Sequence, residues 1–576
     1  MYTSEKNIQI LIALMKKHGV HDIIISPGAM NHTFAASVQN DPDFRVYSCI
    51  DERSAGYMAC GMAEETGKPV ALSCTGATAS RNYMPALTEA FYRKLPILAI
   101  TSLSTRQFVG QLVGQQIDRS QQPKDIVVES VYISPVKDDK DYLVCERDIN
   151  KALLALTFHG GGPVHIDLGT TFGKINAQQL PDVRIIRRYT NIDSLPQIPH
   201  GRIAVMMGVH SFINTELEKA IDDFCSTYDA IVLTPNPRSY TGKYAVNPGL
   251  LFSQLGYSGP LNRMDLCIHI GEVNTDAVGF VIKPKNVWRV SCDGQVKDRY
   301  DKLSAIFQMT EIEFFRHYAK SNINQNIQLQ EFEEADTQIR KKIPELPFSN
   351  GWIAQRIAPI IPENAKLHLG ILNSVRAFDY AKPQHKLLTF ANIGGFGIDG
   401  CISSMVGASI KSPKTEFFGI FGDLVFFYDM NVFGNRHIGK NLHIIVVNND
   451  GGQQFRNFDH PASKLGMESE PYIVGAGHYG PKSQTLIKNY VENLGIKYLS
   501  ASNKKDFEDI LPEFMENGQS VVLEAFTNKD EENEAFVLLR NLIPANTGLT
   551  TSLKGAILNH MSDENVGKLK KFLKRS

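Results

Sequence analysis

Two strand-like runs in the last third of the chain end in residues that could hold a metal ion through oxygen alone. Phe417-Phe418-Gly419-Ile420-Phe421 leads into Gly422-Asp423, and Ile444-Ile445-Val446-Val447 leads into Asn448-Asn449-Asp450-Gly451-Gly452. Asn449 follows Asp423 by 26 residues. Two neighbouring parallel strands can thus bring a carboxylate and a carboxamide to one sheet edge. With a backbone carbonyl and phosphate oxygens they make an oxygen-only octahedral set, which suits Mg²⁺. Gly422, Gly451 and Gly452 let the backbone approach a diphosphate, with helix N-termini supplying N–H groups. Singly, Gly-Asp and Asn-Asn are common strand-end turns. The pair, at this spacing on two apolar strands, is specific.

A second constellation is Asp51-Glu52-Arg53-Ser54-Ala55-Gly56-Tyr57, after the strand-like Val46 to Ile50. Acidic residues at a helix start have a bland explanation, stabilisation by the helix dipole. Their surroundings add to the pattern: Thr75-Gly76-Ala77-Thr78 closes the strand Val70 to Cys74, and Pro85-Ala86-Leu87-Thr88-Glu89-Ala90 follows. A third stretch is Asn392-Ile393-Gly394-Gly395-Phe396-Gly397-Ile398-Asp399-Gly400.

The Gly-Asp and Asn-Asn strand ends resemble the diphosphate and metal motif of the thiamine-diphosphate-dependent enzyme superfamily. The segments Asp423 to Asn431 and Val446 to Gln453 look closest to its menaquinone-pathway branch, the 2-succinyl-5-enolpyruvyl-6-hydroxy-3-cyclohexene-1-carboxylate synthases. The resemblance implies that Asp423, the Asn449 side chain and the Gly451 carbonyl bind Mg²⁺. It implies that Thr75, Thr78, Phe396, Ile398, Gly422, Leu424, Gly451 and Gly452 contact thiamine diphosphate, with Ile398 bending the cofactor. Glu52 takes the place of the glutamate that hydrogen-bonds the aminopyrimidine ring and activates the cofactor, a task that needs a dry pocket. In the superfamily the two half-sites come from different subunits, so a homodimer is the minimum active unit and a homotetramer is common.

The substrate positions depart from that branch, which holds multiply charged acids with several arginines and lysines. Its arginines align here with Met30, Ser104 and Ile393, and a Lys-Arg pair with Ala277-Val278; Gln115 and Arg376 match. Each charge-assisted bond to a carboxylate contributes about 1.5–3 kcal/mol, so losses at these four places abolish useful affinity for isochorismate. Asn31, His32, Gln115, Arg376, Gln454 and Arg456 are the polar candidates to line the re-cut pocket. His32 has a structural alternative, as an isolated histidine after a strand, and Arg376 could pair a buried acid. The function implied is a carboligase that decarboxylates a 2-oxo acid and passes the acyl anion to a carbonyl or enone acceptor. The alternatives are a non-oxidative decarboxylase of the phosphonopyruvate or sulfopyruvate type, the menaquinone-pathway synthase itself, or a non-catalytic relative. A flavin in the central domain has no support in the sequence.

These residues need a scaffold, and the chain spells one out. Short apolar runs at Ile23–Ile25, Val70–Cys74, Leu95–Ile100 and Pro163–Leu168 alternate with helical stretches such as Ser54–Glu65. The pattern resumes at Ile203–Met207 and Ala230–Leu233, and again at Phe417–Phe421, His443–Val447 and Ser520–Phe526. Such alternation makes mostly parallel sheets covered on both faces, with ligands at the carboxyl ends of the strands. The fold class is α/β, with three doubly wound domains: pyrimidine-binding at 1–185, central at 200–340 and diphosphate-binding at 350–550, then a basic tail at 551–576. Pro196, Pro199 and Gly201 mark the first boundary. A polar helical connector between Asn322 and Lys342 puts Ile327, Phe332 and Ile339 on its buried side. A chain of 576 residues exceeds one core, and its 43% hydrophobic and 21% charged residues are globular. A net charge of −1 draws it neither to nucleic acid nor to anionic lipid. No apolar run is long enough to span a bilayer. The eight cysteines have no metal-ligand spacing and suit a reducing cytoplasm.

Overall fold

The computed structural model describes residues 1–210, 213–273, 282–320 and 325–544. The tail at 551–576 and the Ala277-Val278 position lie outside the described residues. The chain divides into two compact units, residues 1–191 with 292–308, and residues 192–291 with 309–576.

The first unit is built on six parallel strands in the spatial order Arg45–Ser48, Asp22–Ile25, Val70–Cys74, Ile97–Leu103, Val164–Gly169 and Glu129–Ile133. Numbered along the chain, that order is 2-1-3-4-6-5. Strands buried on both faces carry continuous apolar residues; every residue of Val70–Cys74 and Ile97–Leu103 is buried. A core of Ile10, Leu14, Phe34, Leu98 and Ile166 fills one face, and Ala59, Ala63, Leu72 and Tyr83 fill the other. The unit also holds the parallel pair Arg187–Tyr189 with Leu303–Phe307. The first of these is a short strand inside the stretch expected to be an irregular boundary.

The second unit carries two sheets. One is parallel, in the order Ala245–Val246, Ile231–Leu233, Ile203–Met207, Arg263–Ile270, Lys283–Val290, or 3-2-1-4-5. The crevice of such a sheet opens where the order reverses, between Met207 and Ile270. Here the two loops are zipped together: Val209 N donates to the Val273 carbonyl at 2.9 Å and Glu272 N to that of Val209 at 3.1 Å. A Cβ on Gly208 would sit 2.2 Å from the Glu272 carbonyl oxygen, so that crevice is closed. The connector is a helix over Ile327–Arg340. Phe332 and Ile339 are buried as expected, whereas Ile327 is 60% exposed, because it sits in the first helical turn, outside the packed stripe.

The other sheet has six parallel strands in the order Thr389–Phe390, Lys366–Leu369, Phe417–Gly422, Leu442–Asn448, Val521–Phe526 and Lys497–Ala501. Along the chain this is again 2-1-3-4-6-5. The doubly wound topology of the first unit thus recurs. Among the described residues no helix is long and apolar enough to cross a membrane.

Candidate active site

In the second unit the expected metal residues meet at one sheet edge. Gly422 pairs in register with Val447, so Asp423 and Asn449 emerge side by side beyond the carboxyl ends of adjacent strands. Asp423 opens the helix Asp423–Asp429 and is 4% exposed. Its carboxylate accepts from Leu424 N at 2.8 Å and from Gly451 N at 2.9 Å. Burial nevertheless pushes its pKa up to about 6, against those two backbone bonds. A buried acid with so few donors is one that a cation would satisfy. The Asn449 amide hydrogen-bonds the Glu532 carboxyl, which burial raises to about 7 and which also takes bonds from Thr527 and Asn350. Asn448 is held likewise: its Nδ2 donates to the buried Glu524 at 2.6 Å, whose other oxygen accepts from Tyr498 at 2.9 Å.

The glycines divide by role. A Cβ on Gly422, Gly394 or Gly395 would meet nothing within 4 Å, so those positions border open space. Gly451, at φ +125°, is required by the turn, and a Cβ on it would lie 3.0 Å from Val474. Gly452 likewise packs on Val474 and Phe455. These two serve the turn's own packing. Leu424 is half-buried, Phe396 is 37% exposed at the loop tip, and Ile398 packs against the core that includes Phe421 and Met405. Among the described residues no group of three or more His, Cys, Asp or Glu could hold a metal, so a metal here takes one carboxylate with amide, carbonyl and cofactor oxygens. The donor set fits that role.

Arg376, on the helix Asn373–Tyr380, hydrogen-bonds Gln454, and with Asn373, Asn457 and Glu532 it supplies the polar part of a mostly apolar cavity of about 30 Å³ that Ala535, Phe536 and Leu539 also line. The two expected pocket residues are therefore partners of each other. Arg456 differs from expectation. Its Nε and Nη2 bind Glu470 at 3.1 and 2.6 Å, Nη1 reaches the Asn449 carbonyl at 2.9 Å, and Nη2 reaches that of Asp450 at 2.8 Å. With its side chain 8% exposed, it braces the turn.

In the first unit, Glu52 begins the helix Glu52–Thr66. Asp51, not Glu52, is the cap: its side chain accepts from Arg53 N and Ser54 Oγ, both at 3.0 Å. Glu52 is therefore not the cap, although it sits in the first turn where the helix dipole favours an acid; among the described residues its side chain accepts from Asn82 at 3.4 Å, and it stands half-exposed. Thr75 and Thr78 flank Ala77, held at φ +56° where L-residues are strained; Thr75 is half-buried and Thr78 exposed. The loops after the first and third strands touch, since a Cβ on Gly28 would lie 2.6 Å from that of Thr75. Asn31 is 1% exposed and spends its amide N–H groups on the Ser26 carbonyl and Ser73 Oγ; it shapes the loop from beneath. His32 bonds the Ala29 carbonyl at 2.8 Å and stacks on Phe172. Gln115 is exposed at φ +64°, in a loop anchored by Arg119, which pairs with buried Asp167 at 2.5 Å.

Residues 6–122 match the thiamine pyrophosphate enzyme, N-terminal TPP binding domain family. This chain is a thiamine-diphosphate-dependent enzyme. Over 555 residues it is 29% identical to the 2-succinyl-5-enolpyruvyl-6-hydroxy-3-cyclohexene-1-carboxylate synthase of Phocaeicola vulgatus, covering 92% of this chain and 97% of that one. The proteins of the same name from Bacteroides fragilis and Bacteroides thetaiotaomicron are also 29% identical, each covering 92% of this chain and 98% of the other. The resemblance read from Gly422-Asp423 and Asn448-Asn449 is borne out, and with it the cofactor.

Sequence reasoning missed Glu524, Glu532, Glu470, Arg119 and Asp167. Each acts on a residue 14 to 83 positions away in the sequence, so no local pattern could single it out.

Proposed function

We propose that this enzyme uses thiamine diphosphate and Mg²⁺ to decarboxylate a 2-oxo acid and transfers the acyl unit to an acceptor other than isochorismate. When bound, the cofactor supplies the electron sink for loss of CO₂. Glu52 holds the proton shared with the aminopyrimidine, Asp423, Asn449 and the Gly451 carbonyl hold the metal, and Ile398 supports the cofactor from below. Arg376, oriented by Gln454, receives the carboxylate of the 2-oxo acid, and Gln115 contributes a neutral contact.

One observation carries the exclusion of isochorismate: the cationic equipment for a second polyacid is missing or already used. Met30 and Ser104 carry no charge, and Ile393 is 5% exposed in the core. Arg456 is consumed by Glu470 and two carbonyls. Arg106, near the Ser104 position, stacks on Tyr132 and lies 3.6 Å from Asp167. A homodimer completes the reading. Glu52 needs a dry pocket, and Ile50 before its helix with Tyr57 and Met58 along it are exposed apolar residues that suit burial against a second copy. The same reading assigns pyrimidine-binding, central and diphosphate-binding domains to 1–185, 200–340 and 350–550.

The test incubates the full-length enzyme, thiamine diphosphate and Mg²⁺ with a panel of 2-oxo acids, following CO₂ with and without aldehyde, keto-sugar or enone acceptors. Carboligation predicts CO₂ release accompanied by a condensed product. Release untouched by every acceptor makes it a simple decarboxylase, and consumption of isochorismate overturns the exclusion. Glu52→Gln should bind cofactor normally and lose about 10²–10⁴-fold in turnover.

A further inference from the structure

We infer that Arg456 is a positioning residue that sets the metal-binding turn, and that Glu470 is its necessary counter-charge. The inference rests on the proposed metal role of Asp423 and Asn449.

The turn after the strand Leu442–Asn448 is costly to hold. Asp450 sits at φ +58°, a left-handed conformation that few non-glycine residues adopt, and Gly451 at φ +125°, which glycine alone tolerates. Such a conformation persists when surrounding bonds over-determine it. Arg456 supplies those bonds. One planar fork reaches the carbonyls of two successive residues, Asn449 at 2.9 Å and Asp450 at 2.8 Å. With both carbonyls turned toward the guanidinium, Gly451 N points at Asp423 Oδ2, 2.9 Å away. The clamp thereby fixes Asp423 and the turn relative to each other.

A guanidinium beside a site for a divalent cation is repulsive unless neutralised. Glu470 meets that need, accepting from Nε and Nη2 of Arg456 and from Lys529 at 3.3 Å. The segment carrying Glu470 is itself fastened to the turn. Gly452 N donates to the Val474 carbonyl at 2.8 Å, Ala476 N to that of Glu470 at 2.9 Å, and Gly477 N to Asp450 Oδ1 at 3.2 Å. The strap from Pro461 to Gly477 and the metal turn are therefore tied to each other by these bonds, with the Arg456–Glu470 pair at the join. Lysine cannot replace this arginine, because a point charge on a flexible stem cannot serve two carbonyls and a carboxylate together.

The test measures Mn²⁺ binding by electron paramagnetic resonance, with saturating thiamine diphosphate, on full-length wild type, Arg456→Lys, Glu470→Gln and Asp423→Asn. Partners that orient metal ligands typically change metal affinity 10–100-fold. Arg456→Lys should weaken Mn²⁺ binding about 10–100-fold, while KM for the 2-oxo acid at saturating metal stays at the wild-type value. Glu470→Gln should weaken it too, most strongly at low ionic strength. Wild-type Mn²⁺ affinity in Arg456→Lys together with a raised KM would make Arg456 a substrate ligand and overturn the inference. Should Arg456→Lys not fold, Glu470→Gln decides alone, since it keeps both carbonyl bonds; wild-type affinity there is equally fatal. Asp423→Asn separates the two layers. If it binds Mn²⁺ normally, the metal reading itself fails; if it does not bind while Arg456→Lys binds with wild-type affinity, only the clamp fails.

Discussion

Replacing Asp423 by asparagine should stabilise the protein without ligands and destabilise it relative to wild type with them. In the ligand-free fold, burial raises this carboxyl from its ordinary 3.8 to about 6. At 1.36 kcal/mol per pH unit, holding it ionised costs about 3 kcal/mol. The sign follows from the direction. A folded pKa above the unfolded one means that the fold prefers the protonated acid, so the cost is absent below pH 3.8, grows between 3.8 and about 6, and is complete above. Asparagine removes the charge but cannot accept well from both Leu424 N and Gly451 N, and one unmet backbone donor returns about 1–3 kcal/mol. The net at pH 7.5 is a gain of roughly 0–2 kcal/mol for the ligand-free variant. With thiamine diphosphate and Mg²⁺ at a hundred times their dissociation constants, wild type gains about 2.7 kcal/mol and the variant gains nothing. Scanning calorimetry of both proteins, with and without ligands, at pH 5.0 and 7.5 reads every arm. The stability order should reverse on adding ligands, and the ligand-free difference should shrink at pH 5.0. A ligand-free variant clearly less stable than wild type at pH 7.5 would refute the burial argument. A variant that keeps its ligand-induced gain would refute the metal role.

Two further outcomes test the substrate end and the cofactor loop. Arg376→Ala should lower kcat/KM for the 2-oxo acid about 10–150-fold, the worth of one charge-assisted bond. Gln454→Leu, which removes its orienting partner, should give a smaller loss; equal steady-state kinetics in Arg376→Ala and wild type would dismiss the assignment. Ala77→Gly should raise the melting temperature, because φ +56° with ψ −131° strains any residue with a Cβ by about 1–3 kcal/mol, more than the added chain entropy of glycine, about 1 kcal/mol; a lowered melting temperature contradicts that.

The strands inside the sheets were legible because both faces are covered: Val70–Cys74, Phe417–Phe421 and Ile444–Val447 are unbroken apolar runs. Edge strands were less so. Arg45–Ser48 is exposed or half-exposed throughout, and the strand read at Val46 to Ile50 overlaps it but runs two residues too far. Glu129–Ile133, half-exposed at four of its five residues, needs no apolar run and went unread. Arg187–Tyr189 hid inside a Pro- and Gly-marked stretch for the same reason. At the candidate site, Asp423 and Asn449 stood out because each directly follows a strand, and Glu52 because it opens a helix four residues past one. The roles of Arg456, Asn31 and Gly452 were not, since whether a polar or small residue faces a ligand or its own fold depends on partners such as Glu470, Ser73 and Val474.

The repeated topology gives each unit its own set of strand-end loops, and in the proposed reading one set holds the aminopyrimidine and the other the metal. Both six-stranded sheets run 2-1-3-4-6-5, yet their third strands end differently, in Thr75-Gly76 in one and Gly422-Asp423 in the other. In a doubly wound sheet the strand interiors fix the architecture, while the carboxyl-end loops are free to vary and carry the chemistry. The first sheet places its acid after the second strand, at Glu52, where a helix cap is already provided by Asp51. The second places its acid after the third strand, at Asp423, where burial makes a cation welcome. The roles proposed for these acids, sharing a proton at Glu52 and holding a metal at Asp423, need opposite surroundings, since a neutral partner favours the first and a cation the second. Two copies of one architecture with separate loops meet both demands, which a single set of loops could not.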